Sequence, residues 1–141
     1  MVEVYTDVSI AKGHGVATCF VVSNVNYMGY NTFEYTSINS SLQGELLGIR
    51  DGLKYTATLN TTNEPITVYC DNKAAVALIN DKLAGRPINK FERLVSEILK
   101  IQGEVSTEYK LIQGHQTGHN PNKIVDLVSN SILRDNLKKK G

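Results

Sequence analysis

VEVYTDVSIAKGHGVATCFVVSNVNYMGYNTFEYTSINSSLQGELLGIRDGL, residues 2–53, changes its hydrophobic period partway along, and that change decides the fold. Up to residue 38 apolar and polar residues alternate with a period of two. Val2, Val4 and Thr6 oppose Glu3, Tyr5 and Asp7 in a strand over 2–9. A Gly-containing turn follows at 11–15, then a β-branched strand over 16–23, a turn at 24–26, and a strand rich in Tyr, Phe, Thr and Ile over 27–38. Three strands joined by short turns make an antiparallel meander. From Ser40 onward the period becomes helical. Leu42, Leu46, Ile49 and Leu53 recur every three or four residues, and Ser40 and Ser41 offer caps, so a helix runs over 41–58. Gly44, Gly48 and Gly52 fall one per turn of that helix, each costing about 1 kcal/mol relative to Ala. Such a stripe implies close packing on a sheet or on a neighbouring helix.

Downstream the pattern alternates between strand and helix. NTTNEP (60–65) is a loop and ITVYC (66–70) a strand of the kind found inside a sheet. Helix follows from Asn72 until Gly85–Arg86–Pro87 interrupts it, and Phe91, Leu94, Val95, Ile98 and Ile101 outline another that ends near Gly103. EYKLIQ (108–113) is a fifth strand, GHQTGHNPN (114–122) a polar loop, and 124–137 a closing helix. The expected fold is α/β: a mixed five-stranded sheet, three antiparallel strands then two joined through helices, with helices on both faces. One domain over 1–141 accommodates it.

Composition narrows the function classes. The chain has 141 residues, 41% hydrophobic and 21% charged, as in a folded domain rather than a disordered one. No apolar run approaches the ~20 residues of a membrane span. The start reads as a strand rather than a secretory leader, so a cytoplasmic location is expected. Cys19 and Cys70 lie in apolar strands at no zinc-binding spacing, and both read as reduced core residues. A net charge of +1, from 15 Lys and Arg against 14 Asp and Glu, permits a nucleic-acid partner without demanding one.

The informative residues are the carboxylates that interrupt apolar structure. Asp7 sits mid-strand, Asp71 directly follows ITVYC, Glu45 lies near a helix start, and Asp126 lies among Ile124, Val125, Leu127 and Val128. Taken singly, each also fits a turn, a cap or a helix-dipole role. Together, a buried set is costly unless paired or bound to cations. Strand ends and helix starts can share one sheet edge, and hard oxygen donors in that number select Mg²⁺ or Mn²⁺ over Zn²⁺. Two such ions suit phosphodiester hydrolysis, one activating water and the other stabilising the leaving oxygen.

VYTDVS (4–9), LQGELLGI (42–49), VYCDNKAAV (68–76) and LIQGHQTGHNPNKIVDLVSN (111–130) stand in the order and spacing of the type 1 ribonuclease H family, which the sequence resembles over nearly its whole length. The family includes the ribonuclease H domains of reverse transcriptases. The resemblance implies an endoribonuclease that cuts the RNA strand of RNA/DNA hybrids with two Mg²⁺ ions, or Mn²⁺ in their place, leaving 5′-phosphate and 3′-hydroxyl ends. Asp7, Glu45, Asp71 and Asp126 would be the metal ligands. Asp7 would bridge both ions, with Asp126 on the water side and Glu45 and Asp71 on the leaving-group side. His115 would be the fifth catalytic residue, moving a proton or helping product leave, with His119 its rival; His14 reads as a surface residue. Ser9, Ser40, Ser41, Gln43, Asn72 and Lys73 would contact the hybrid. A monomer with no membrane and no obligate protein partner is implied.

Departures from the family pattern bear on affinity and substrate. Val8 stands where Gly is usual, Asn72 follows Asp71 in place of Ser, and Ser41 and Leu42 occupy positions where Asn or Gln is frequent. Trp is absent, and 80–92 is short and holds few lysines, so a basic handle is not expected; the sequence opens on the catalytic strand, so a separate hybrid-binding domain is not expected either. Two other readings remain open: a DNA nuclease or resolvase of the same fold, and a non-catalytic hybrid-binding module.

Overall fold

Val2, Val4 and Thr6 are buried along one side of the first strand, as their alternation requires. The computed structural model describes residues 1–24 and 26–112. Over them run β1 (Val2–Ala11), β2 (His14–Ser23), β3 (Asn26–Tyr35), α1 (Ser41–Leu59), β4 (Ile66–Cys70), α2 (Lys73–Leu83), α3 (Glu92–Gln102) and β5 (Thr107–Leu111). The sheet order is β3-β2-β1-β4-β5. β1, β2 and β3 form the antiparallel meander, whereas β4 runs parallel to β1 and β5 parallel to β4. The expected mixed five-stranded sheet flanked by helices is therefore present. The helix expected at 124–137 lies outside the described residues.

Boundaries differ where turns are tighter than the sequence suggests. The first hairpin turns on Lys12 and Gly13 alone, both at positive φ (52° and 77°), and Ala11 pairs with His14. Two residues at positive φ match the right-handed strand twist, so β1 and β2 extend further toward the turn than their apolar pattern does. β3 ends at Tyr35 rather than at residue 38, because Ser37 takes φ 60° and breaks the strand. Ile38 is still buried; its N–H donates to the Gly13 carbonyl at 2.8 Å.

The glycine stripe lies on the sheet. A Cβ on Gly44 would stand 2.8 Å from Ile10 Cδ1 of β1, one on Gly48 3.0 Å from Ala17 Cβ of β2, and one on Gly52 3.3 Å from Cys19 Cβ. A side chain at any of the three would crowd β1 or β2, most rigidly at Gly48, whose neighbour is a Cβ fixed to the strand backbone. Its other buried positions, Leu46, Ile49 and Leu53, share one core with Val4 and Val68 of the sheet, Ile79 of α2, and Val95 and Ile98 of α3. From the edge strand β3, the Tyr35 hydroxyl donates to Asp51 of α1 and to the Leu47 carbonyl. Among the described residues no helix is long and apolar enough to cross a membrane.

Because Ala17 Cβ is fixed to the backbone of a central strand, Gly48→Val forces α1 off the sheet. Overpacking of this kind costs roughly 1–3 kcal/mol, and urea denaturation should show the midpoint falling accordingly. An unchanged midpoint would mean that α1 is not seated as described.

Candidate metal and nucleic-acid site

Adjacency of β1 and β4 sets the site. Their parallel register ends at Tyr5↔Tyr69, and two residues further along each strand direction stand Asp7 and Asp71. Beyond the register the strands stay linked, the Thr6 hydroxyl donating to the Tyr69 carbonyl at 3.4 Å. Asp7 is 4% exposed, within β1, while Asp71 lies exposed just past β4.

The third carboxylate comes from α1. Glu45 follows Gly44, whose close seating against Ile10 and Val8 brings the first turns of the helix down onto β1. Glu45 is 5% exposed. Its carboxylate accepts from the Val8 backbone N–H, and its Oε2 accepts from the Cys70 thiol at 3.4 Å. One ligand atom from each of Glu45, Cys70 and Asp71 lies within 4.8 Å of the others, the group among the described residues able to hold a metal ion.

Electrostatics follows from that burial. Desolvation pushes the Glu45 pKa up to about 8, and the charge of Asp71 pushes in the same direction; the hydrogen bonds from Cys70 and Val8 oppose the rise. Burial, then the charge of Glu45, hold the Cys70 thiol well above its ordinary value. A carboxyl group raised this far is a proton holder at neutral pH, and a divalent cation is the other partner that offsets its desolvation. The donors fit such an ion. Glu45 and Asp71 supply hard oxygens of the kind expected for Mg²⁺ or Mn²⁺, the sulfur of Cys70 is the discordant member, and Asp7 is not part of this group.

The remaining expected residues are placed as follows. Ser40 is the N-cap of α1, its Oγ accepting from the Gln43 N–H at 3.1 Å, while Gln43 Oε1 accepts from the Asn39 N–H at 2.9 Å. That reciprocal pair resembles a capping box. Asn72 caps α2, its Oδ1 accepting from the Ala75 N–H at 3.0 Å. Ser41 and Lys73 are exposed as the first residues of α1 and α2, and Ser9 is buried on β1. His115 and Asp126 lie outside the described residues, as does His119. Cys70 is the residue that sequence reasoning assigned only to the core. It is buried, as expected, but its thiol donates to the Glu45 carboxylate, a contact across 25 residues that no local pattern signals.

These features define a protein of the ribonuclease H fold with a carboxylate-lined site at the C-terminal end of β4, beside β1. A family model described as reverse transcriptase-like matches residues 6–117, a span that takes in Asp7, Glu45, Asp71 and His115, and the chain belongs to that family. Among solved structures, ribonuclease H1 from the halophilic archaeon Halobacterium salinarum NRC-1 superposes with a TM-score of 0.75 at 15% identity, over 95% of this chain and 98% of that one. LC11 ribonuclease H1, isolated from compost by a metagenomic approach and solved with an RNA/DNA hybrid, gives 0.75 at 10% identity over 93% and 95%. The prototype foamy virus protease–reverse transcriptase gives 0.70 at 14% identity, over 92% of this chain and 20% of the viral one. No curated protein matches the chain in sequence.

Two outcomes are expected from the site's energetics. A carboxyl group whose pKa is about 8 folded and near 4.5 unfolded binds more protons in the native state between those values. Without metal, stability therefore declines as pH rises from about 4.5 to 8. Glu45→Gln should flatten that decline and remove the Tm increase that Mg²⁺ or Mn²⁺ gives the wild type at pH 8, measured by thermal melts with and without chelator. Separately, Ser40→Ala should lower stability by about 1 kcal/mol through loss of the cap, whatever its effect on hybrid binding.

Proposed function

We propose that the protein is a metal-dependent endoribonuclease that hydrolyses the RNA strand of RNA/DNA hybrids, leaving 5′-phosphate and 3′-hydroxyl ends. The observation that carries this reading is the meeting of buried Glu45 with Asp71, beside the strand that holds buried Asp7. It is supported by family membership and by the sequence order of all four carboxylates.

Asp7, Glu45, Asp71 and Asp126 would hold the divalent ions, Mg²⁺ or Mn²⁺, two per site. When bound, the ions supply activation of water and stabilisation of charge on the leaving oxygen. The protein's own contribution is preorganisation. Asp7 is fixed in a central strand and Glu45 in a helix pressed onto the sheet, so the acids need little rearrangement as charge develops. Asp71, exposed at the strand end, would be the acid nearest an arriving backbone phosphate. Lys73, two residues on and also exposed, would contact a neighbouring phosphate. His115 would move a proton or assist product release. The choice of hybrid over other duplexes would rest on groove shape and on 2′-hydroxyls present in one strand only. Ser40, Ser41, Gln43, Asn72 and Ser9 are the residues for that recognition, with Ser40, Gln43 and Asn72 held rigid by their caps. The fold accommodates such a substrate in LC11 ribonuclease H1, which was solved with one.

End-labelled RNA/DNA hybrid, single-stranded RNA, double-stranded RNA, double-stranded DNA and a four-way DNA junction, each with Mg²⁺ and with Mn²⁺, test the proposal. Only the RNA of the hybrid should be cut. Asp7→Asn and Glu45→Gln should each lower kcat by on the order of 10²-fold or more, since loss of a metal ligand removes several kcal/mol of transition-state stabilisation. Cleavage of junctions or duplex DNA would favour the resolvase reading, and hybrid binding without cleavage the binding module.

A further inference from the structure

Cys70 gives the carboxylate site a donor of different chemistry, and its geometry is specific. Sγ lies 3.4 Å from Glu45 Oε2 and is 3.4 Å from the backbone nitrogen of Asn72, whose N–H donates to it. The thiol is therefore a donor to a carboxylate and an acceptor from an amide at once, pointing into the space that Glu45 and Asp71 share. With Zn–S about 2.3 Å and Zn–O about 2.1 Å, a tetrahedral angle places sulfur and oxygen about 3.6 Å apart. Sγ and Oε2 already stand at 3.4 Å. Replacing the thiol proton by a cation thus needs little movement, and the Asn72 N–H remains to stabilise the thiolate. Magnesium gains nothing from sulfur, whereas borderline and soft cations bind it strongly.

We propose that Cys70 Sγ, with one carboxylate oxygen each from Glu45 and Asp71, makes this a mixed sulfur–oxygen site that takes thiophilic divalent cations, Zn²⁺ and Cd²⁺, in preference to Mg²⁺. The proposal rests on the reading of Glu45 and Asp71 as metal ligands. Binding releases the Cys70 thiol proton, and that of Glu45 where it is protonated, to solvent. The bound ion then occupies oxygens that the hydrolytic metals need, so thiophilic cations act as inhibitors of the enzyme. Cys70 is in this sense a residue that sets metal specificity.

Reduced full-length protein, titrated with Cd²⁺ and separately with Mg²⁺ by calorimetry, provides the test, alongside sulfur-to-cadmium charge-transfer absorption and the cadmium NMR shift. The chain has two cysteines, so a thiolate signal comes from Cys70 or Cys19. The expected result is Cd²⁺ bound more tightly than Mg²⁺, with a charge-transfer band present in the wild type and in Cys19→Ser and absent in Cys70→Ser. Cys70→Ser should also weaken Cd²⁺ by roughly 10–100-fold, a loss at least as large as outer-shell changes give, and move Mg²⁺ affinity far less. A wild-type cadmium shift typical of all-oxygen ligation, or a band lost only in Cys19→Ser, overturns the proposal while Mg²⁺ binding upholds the carboxylate site. Failure of every divalent ion to bind overturns both. The wild-type spectra decide the matter even where Cys70→Ser does not fold.

Discussion

Burial of the Glu45 carboxylate is the constraint on which the rest of the site depends. An acid taken out of water at the junction of a helix and two strands is unfavourable as a bare anion, and only a proton, a hydrogen-bond set or a cation relieves it. The structure supplies part of that relief through the Val8 N–H and the Cys70 thiol, and Asp71 works against it. What remains is a strong local preference for positive charge. The glycine stripe is the mechanical cause: without side chains at 44, 48 and 52, α1 settles onto β1 and β2, and the depth of that seating decides how far Glu45 is drawn from solvent. Propensity lost in the helix is exchanged for position.

Sheet order supplies the second half. Adding β4 to the β1 edge of the meander, parallel to β1, brings Asp71, just past the C-terminal end of β4, level with Asp7 in β1, each two residues beyond the last pair of their register. Ligand sites in α/β sheets favour such strand ends because side chains there are held by the strand yet face an opening. Asp7 and Asp71 differ in exposure accordingly, one enclosed and one open. On the proposed reading, the enclosed acids would hold ions from within and the open one would meet a substrate from outside.

Much of this was legible in the sequence because it is periodic and local. Val2, Val4 and Thr6 announced a strand face, the change of period at Ser40 announced the helix, and acids placed among apolar residues announced a site. The glycine stripe implied close packing, and the structure resolves the choice in favour of the sheet. What was not legible is tertiary or conformational. The Cys70–Glu45 contact spans 25 residues, and nothing in the pattern ITVYC separates a core thiol from one aimed at a carboxylate. The ends of β1 and β3 depended on positive φ at Lys12 and Ser37, which non-glycine residues adopt too seldom for composition to signal.

Ser40, Gln43 and Asn72 show how one side chain can serve two readings. Ser40 and Asn72 cap α1 and α2, and the Gln43 side chain accepts from the Asn39 N–H just before α1; in sequence Asn72 directly follows Asp71, and Gln43 precedes Glu45 by two residues. A cap consumes only part of a polar side chain's capacity: a hydroxyl keeps its proton, and an amide that accepts through oxygen keeps its NH₂. The capping bond also removes rotamer freedom, so a remaining donor is presented in one direction at little further entropic cost. On the proposed reading, the helix starts would meet a nucleic-acid groove at lower entropic cost than free loop residues, because the interactions that begin the helices also restrict their first polar groups.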